Sequence, residues 1–329
     1  MSQSRRRKFL VNTGALLAAP LAALAQPSEK TPRIGVLSSF SASDAAIWFQ
    51  AFRQGLRDLG WDEAKNIRIE YRYSEGRSDR LPDLAADLVR LRADIIVVAI
   101  TPDALAARKA SRTIPIVMAS VGDPVGFGLV DSLARPGGNV TGLSQTAGEM
   151  HGKRLGLLKE LVPGLSRVVV LWNPQSQGST FAWKEIQEPA RKLGVHLHAV
   201  EVQSIDNLEK AFEAARAARA GALAIMPDPI FVRNLKRIAD FAARKRLPSI
   251  YHLREFVDSG GLMAYGPDRA DLFRRSATYV DKILKGSKPG DLPIEQPTKF
   301  ELALNLRTAK ALGFQIPSSI LLRATTVIE

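Results

Sequence analysis

Five short polar clusters in this chain each stand just past an apolar run, the place where an α/β sheet presents groups to a ligand. They are Ser38-Ser39, Thr101-Pro102-Asp103, the Ser120–Pro124 stretch with Asp123, Trp172-Asn173-Pro174 and Pro227-Asp228-Pro229, while Tyr251 and Tyr265 close two later runs. Hydroxyls and helix N-terminal N–H groups can hold a carboxylate, because those donors have no partner inside the helix. Asp123 or Asp228 can hold an ammonium group, and Trp172 or Tyr251 can stack on a flat or apolar body. Each residue also has a plainer reading. Thr101, Asp103, Asp123 and Asp228 are ordinary N-caps and turn formers, and Trp172 at a strand end is as often core as contact. The recurrence of such clusters in both halves of the chain favours a site.

Catalytic signatures are missing from the sequence: there is no phosphate-binding P-loop, no HExxH and no GxSxG elbow. Gly126 and Gly128 begin like a dinucleotide fingerprint, but Asp131 stands where the third glycine belongs. His196 and His198 share one face of a strand without a third metal ligand near them, and His151 and His252 are isolated. No nucleophile, base and orienting group assemble by spacing, so no catalytic residue, metal or cofactor is expected.

The elements that must carry these clusters alternate strand with helix. Arg33–Ser39 reads as a buried strand, followed by Ala45, Phe49, Phe52, Leu56 and Leu59 on one helix face closing at Gly60. Strands over 66–73, 94–100 and 114–120 alternate with helices over 81–91 and 102–111. The pattern restarts near Gly148, with helices over 151–161, 184–193, 207–218 and 231–246. The strands between and after them fall at 167–172, 195–202, 221–226, 248–252 and 262–265. Such alternation requires an α/β fold: two doubly wound parallel sheets, one per lobe, with a cleft at the strand C-terminal ends. The boundaries read as lobe 1 over 33–143, lobe 2 over 144–265, and a return segment, 266–329, completing lobe 1. That segment opens with a helix over 268–284 and then alternates over 300–304 like an edge strand.

With 329 residues, 46% of them apolar and 24% charged, the chain suits two globular domains. Its formal charge of +13 is uneven: Arg5, Arg6, Arg7 and Lys8 supply four charges, and residues 1–25 hold no acid. Elsewhere Lys and Arg are interleaved with apolar residues on helix faces, which indicates solvated surface and identifies no partner; no nucleic-acid partner is expected, because the N-terminus carries a signal peptide in place of a helix-turn-helix. Cysteine is absent, which removes disulfides, thiolate chemistry and lipid attachment through a Cys. The basic start, the apolar run from Phe9 to Leu24 and the small residues Ala23 and Ala25 read as a signal peptide cut before Gln26. Arg6-Arg7-Lys8-Phe9-Leu10 also resembles a twin-arginine export signal. Residues 26–32 then form a short lead-in to a soluble, periplasmic mature protein.

Several stretches resemble an ABC transporter substrate-binding family whose named members are linked to tryptophan or tyrosine uptake. They are Ile34-Gly-Val-Leu, Thr101-Pro, Gly122-Asp-Pro, Arg135-Pro-Gly-Gly-Asn-Val-Thr-Gly142, Ala264-Tyr-Gly-Pro-Asp268, Ile283-Leu-Lys-Gly286 and Leu292-Pro-Ile-Glu-Gln-Pro-Thr-Lys-Phe300. The resemblance spans essentially the whole mature chain. It implies a type I periplasmic-binding-protein fold, a three-segment hinge, closure on ligand, and contacts at Ser39, Thr101, Asp123, Trp172, Asn173 and Asp228. It also implies a small-molecule ligand, an ABC importer permease as partner, and action as a monomer. A ligand sensor that hands its closed form to a membrane receptor fits the same sequence, and an exported enzyme is the weaker alternative.

Overall fold

A computed structural model describes residues 31–145 and 148–329. The signal peptide and most of the lead-in expected at the N-terminus lie outside the described residues. In chain order the first series is β1 (Arg33–Ser38), α1 (Ala46–Asp58), β2 (Arg68–Tyr73), α2 (Leu81–Arg90), β3 (Ile95–Val98), α3 (Thr101–Ala110), β4 (Ile116–Val121) and β5 (Val140–Ser144). The second runs α4 (Gly148–Leu161), β6 (Arg167–Trp172), α5 (Gln177–Lys192), β7 (His196–Glu201), α6 (Leu208–Ala217), β8 (Ala222–Ile225), α7 (Pro229–Val232), α8 (Leu235–Arg244) and β9 (Ser249–Tyr251). It continues with α9 (Arg254–Asp258) and β10 (Met263–Pro267), and the chain ends with α10 (Arg269–Leu284), β11 (Phe300–Asn305), α11 (Leu306–Leu312), α12 (Ser318–Leu321) and β12 (Thr326–Ile328).

Lobe 1 is a five-stranded parallel sheet ordered β2-β1-β3-β4-β5, and lobe 2 is a seven-stranded sheet ordered β12-β11-β10-β9-β8-β6-β7. Alternation along each strand sends residues to opposite layers. In β3, Ile95 and Val97 join the core under α1 and α10, whereas Ile96 and Val98 pack under α2 and α3. In β6, Val169 and Leu171 face α6 and α8, whereas Val168 and Val170 face α4 and α5.

The return segment divides between the lobes, which corrects the expectation that all of it completes lobe 1. Helix α10 packs on α1 so closely that a Cβ on Gly55 would come within 2.4 Å of the Arg274 carbonyl oxygen. Strand β11, however, pairs antiparallel with β10 in lobe 2, and β12 rather than β11 takes the edge. The apolar alternation of 300–304 marked a strand but could not name its partner. A second difference lies at 231–246, read as one helix and folded as α7 and α8 with a break at Arg233–Asn234.

The chain crosses between the lobes three times: between β5 and α4, from β10 to α10, and from Glu295 to β11. The crossings are hydrogen-bonded to one another. Ser144 N–H donates to Glu295 O at 2.9 Å, and Asp268 N–H donates to Lys299 O at 3.1 Å. Gly142, beside the first crossing, has φ +122°, and a Cβ there would sit 2.3 Å from Met118 O, so glycine is required by both conformation and space. Among the described residues no helix is long and apolar enough to cross a membrane.

Candidate functional site

The strand ends of both lobes face a chamber of about 60 Å³ whose wall both lobes supply. Lobe 1 contributes Phe40, Thr101, Phe127 and the N-terminal residue of α10, Arg269; lobe 2 contributes His151, Ser176, Phe181, Asp228 and His252; Gln145 stands at the first crossing. The lobes touch around it. The Phe127 and Phe181 rings lie 5.5 Å apart across the cleft, Trp48 Nε1 donates to Glu255 Oε1 at 3.0 Å, and Arg233 Nη1 donates to Glu75 O. A polar mouth of about 590 Å³, lined by Arg77, Gln175, Gln203 and Arg233 among others, shares Ser176, Asp228 and Pro229 with the chamber.

Helix starts converge here because each βα turn ends at the sheet's C-terminal edge. Thr101 opens α3, Ser176 is the N-cap of α5, Asp228 caps α7, and Arg269 follows the Asp268 cap of α10. Most of the polar groups at these turns are spent on one another. Asp228 Oδ1 accepts from Ile230 N at 2.8 Å and Oδ2 from Asn173 Nδ2 at 3.2 Å; burial raises its pKa. Asn173 N–H donates to Ser179 Oγ, and its Oδ1 accepts from Gln175 N. Thr101 Oγ1 accepts from Gly122 N at 3.0 Å, which leaves the hydroxyl proton free. Ser39 Oγ donates to Asp103 Oδ1, and Asp103 Oδ2 accepts from Ile100 N at 3.0 Å. Complete burial pushes the Asp103 carboxyl up to about 7 despite those donors.

Basic groups at the inner end behave differently. Arg154, Arg269, His151 and His252 are 8%, 6%, 1% and 4% exposed, and no acid is in ion-pair contact with either arginine among the described residues. Arg154 Nε donates to Tyr265 O at 2.7 Å, and its Nη1 lies 3.3 Å from His151 Nδ1. A guanidinium only donates, so Nδ1 accepts and the His151 proton sits on Nε2. Arg269 lies 5.0 Å from the Trp48 ring and 5.9 Å from the Phe40 ring, and its Nε and Nη1 have no partner; nor has His252 Nδ1. Burial lowers Arg154 to about 9 and Arg269 to about 10, so both remain cationic at neutral pH. Burial, followed by the neighbouring arginines, holds both histidines well below their usual range and therefore neutral.

Residues 33–328 match a family described as "ABC transporter substrate binding protein". The chain belongs to the ABC transporter substrate-binding protein family. A "Tyrosine-binding protein" of Clostridioides difficile is 27% identical over 288 residues, 88% of this chain and 83% of that protein. The structure of an ABC domain from Streptococcus pneumoniae in complex with L-Trp matches with a TM-score of 0.85 at 26% identity, covering 91% of this chain and 100% of that one. A conserved domain protein from Vibrio cholerae matches with a TM-score of 0.86 at 28% identity, over the same shares. The two-lobed type I periplasmic-binding-protein architecture expected from the sequence is the fold of this chain.

Of the residues named from sequence, Thr101 and Asp228 line the chamber and Asn173 lines the mouth. The others sit elsewhere. Ser38 and Ser39 are buried turn formers, the former accepting from Phe40 N. Asp123 closes its own turn by accepting from Gly126 N at 2.9 Å. Trp172 shares the strand face of Val168 and Val170, and so stacks on Trp183 of α5 at 5.5 Å. Tyr251 is fully buried against Phe256 at 4.5 Å, and Tyr265 stacks on Phe300 at 6.2 Å. Sequence reasoning did not name Arg269, His151, Ser176, Phe181 and His252, which line the chamber. One signal was available: a basic residue in the first turn of α10 opposes the helix dipole and so needs another reason to be there.

Proposed function

We propose that this chain is the extracytoplasmic solute-binding component of an ABC importer, capturing an amino-acid-like or similar small ligand with a polar head and a flat or apolar body. The observation that carries this reading is the chamber itself: both lobes wall it, with three phenylalanines and a few converging polar groups. A ligand that bridges both walls binds the closed form better than the open one and shifts the population toward closure about the three crossings. The closed form is then the species offered to the membrane permease. The aromatic ligands named for two relatives match the apolar, aromatic character of Phe40, Phe127 and Phe181 around the chamber. The N-terminal signal directs the chain to the periplasm, with twin-arginine export suggested by Arg6-Arg7. Binding requires no chemical step, and the chain acts without turnover.

Mass spectrometry of whatever molecule co-purifies, followed by calorimetric titration of the unfolded-and-refolded protein, tests the reading. One-site saturable binding of that molecule, recovered unchanged, is expected. Phe181→Ala should weaken it by roughly tenfold, the effect of removing a central aromatic contact. Steady conversion of the molecule to a product would overturn the reading.

A further inference from the structure

We infer that the captured ligand is a net organic anion, an aryl or alkyl carboxylate whose carboxylate is gripped by Arg269 and which needs no α-ammonium group. This deepens, and rests on, the capture reading above.

Three observations carry it. First, Arg269 is in the chamber wall at 6% exposure, its guanidinium packed by the Trp48 and Phe40 rings and its buried Nε and Nη1 without a hydrogen-bond partner, and His252, also in the wall, has an unpaired buried Nδ1. A buried cation without an anion is costly, and a guanidinium fork matches a carboxylate by two parallel hydrogen bonds. Second, the acids near Arg269 lie in a separate cavity of about 210 Å³, which Arg269 and His252 also border. Glu255, Asp258, Asp268 and Glu301 line that cavity; Glu255 accepts from Trp48 Nε1 and its charge favours the Arg269 cation, yet none of the four is within ion-pair distance of Arg269. Third, the chamber offers an ammonium few acceptors. Among the described residues Asp228 is the single carboxylate in its wall, and each of its oxygens already accepts a hydrogen bond, from Ile230 N and from Asn173 Nδ2. The other polar side chains of the wall include two donors, the Thr101 hydroxyl and His151 Nε2–H, beside Ser176, Gln145 and His252. An anion with an apolar body satisfies Arg269 and these donors, whereas an amino acid must also place its ammonium against Asp228, whose oxygens already hold donors.

Refolded, ligand-free protein titrated with 3-phenylpropionate, phenylalanine and 2-phenylethylamine, and with the indole analogues of all three, tests the inference. The acid is expected to bind at least roughly tenfold tighter than the matching amino acid, since burying an unmatched ammonium costs more than the missing contact returns. The amine should show no saturable binding. Arg269→Met should weaken acid binding by at least roughly 100-fold, the usual cost of removing one partner of a buried charge pair. Arg269→Lys, which keeps the charge but not the bidentate fork, should fall between. An amino acid that binds as tightly as its acid, or Arg269→Met with unchanged acid affinity, would overturn the inference and leave the capture reading standing. No saturable binding by acid, amino acid or amine would overturn both.

Discussion

The turns at the strand ends and the basic group at the inner end of the cleft are built from similarly buried polar residues, yet they use them in opposite ways. Around Asp103 and Asp228 every carboxylate oxygen has a donor, supplied by Ser39, Ile100, Ile230 and Asn173. Around Arg269 and His252 donors and ring nitrogens are left open. An unsatisfied buried polar group costs about 1–3 kcal/mol, so the first arrangement holds the walls in place and the second leaves groups that a ligand can relieve. Polar residues near a cleft therefore divide into those that shape it and those that bind, and the hydrogen-bond ledger separates them where residue type cannot.

The sharpest way to break that contrast is at Asp103. Asp103→Ala leaves Ile100 N and the Ser39 hydroxyl without their acceptor, and urea denaturation should show a loss of about 2–4 kcal/mol. Arg269→Met should act with the opposite sign in the ligand-free protein. Removing an unpaired cation packed against Trp48 and Phe40 leaves stability unchanged or raises it by about 1–2 kcal/mol, read by the same denaturation curves. A pH series probes the same Asp103 carboxyl. Folded Asp103 titrates at about 7 against 3.8 for the free group, so the native state holds a proton that the unfolded chain has lost. Its contribution to stability is intact below the unfolded pKa, declines as pH rises toward 7 and is constant above; Asp103→Asn should flatten that decline. Least of all should change at Asp123, whose carboxylate serves only its own turn. Asp123→Ala is expected to shift stability by less than about 1 kcal/mol and to leave ligand affinity unaltered. A marked loss of affinity there would return the strand-end clusters to the binding role.

The fold was largely readable from sequence because each layer follows from apolar periodicity: Phe49, Phe52 and Leu56 at helical spacing face α10, and Ile95–Val98 is apolar throughout because both faces of its sheet are covered. The partner of Phe300–Asn305 was not readable, since alternation fixes a strand's faces and not its neighbour. At the site, Thr101 and Asp228 were found because they sit at strand ends, whereas Trp172 and Tyr251 turned into the core through alternation that places them on the packed face. Arg269 and His252 escaped notice because a long-range arrangement, with α10 returning to lobe 1 beside a strand of lobe 2, creates their shared environment. Residue spacing along the chain holds no trace of it.

The most direct test is a crystal structure of the protein carrying the molecule it acquires in its own cell. Density for a ligand carboxylate paired with the Arg269 guanidinium at about 2.8 Å, with its body against Phe127 and Phe181, is the expected result. A ligand that turns an apolar or amine-bearing end toward Arg269, or that occupies another cavity, would contradict the account.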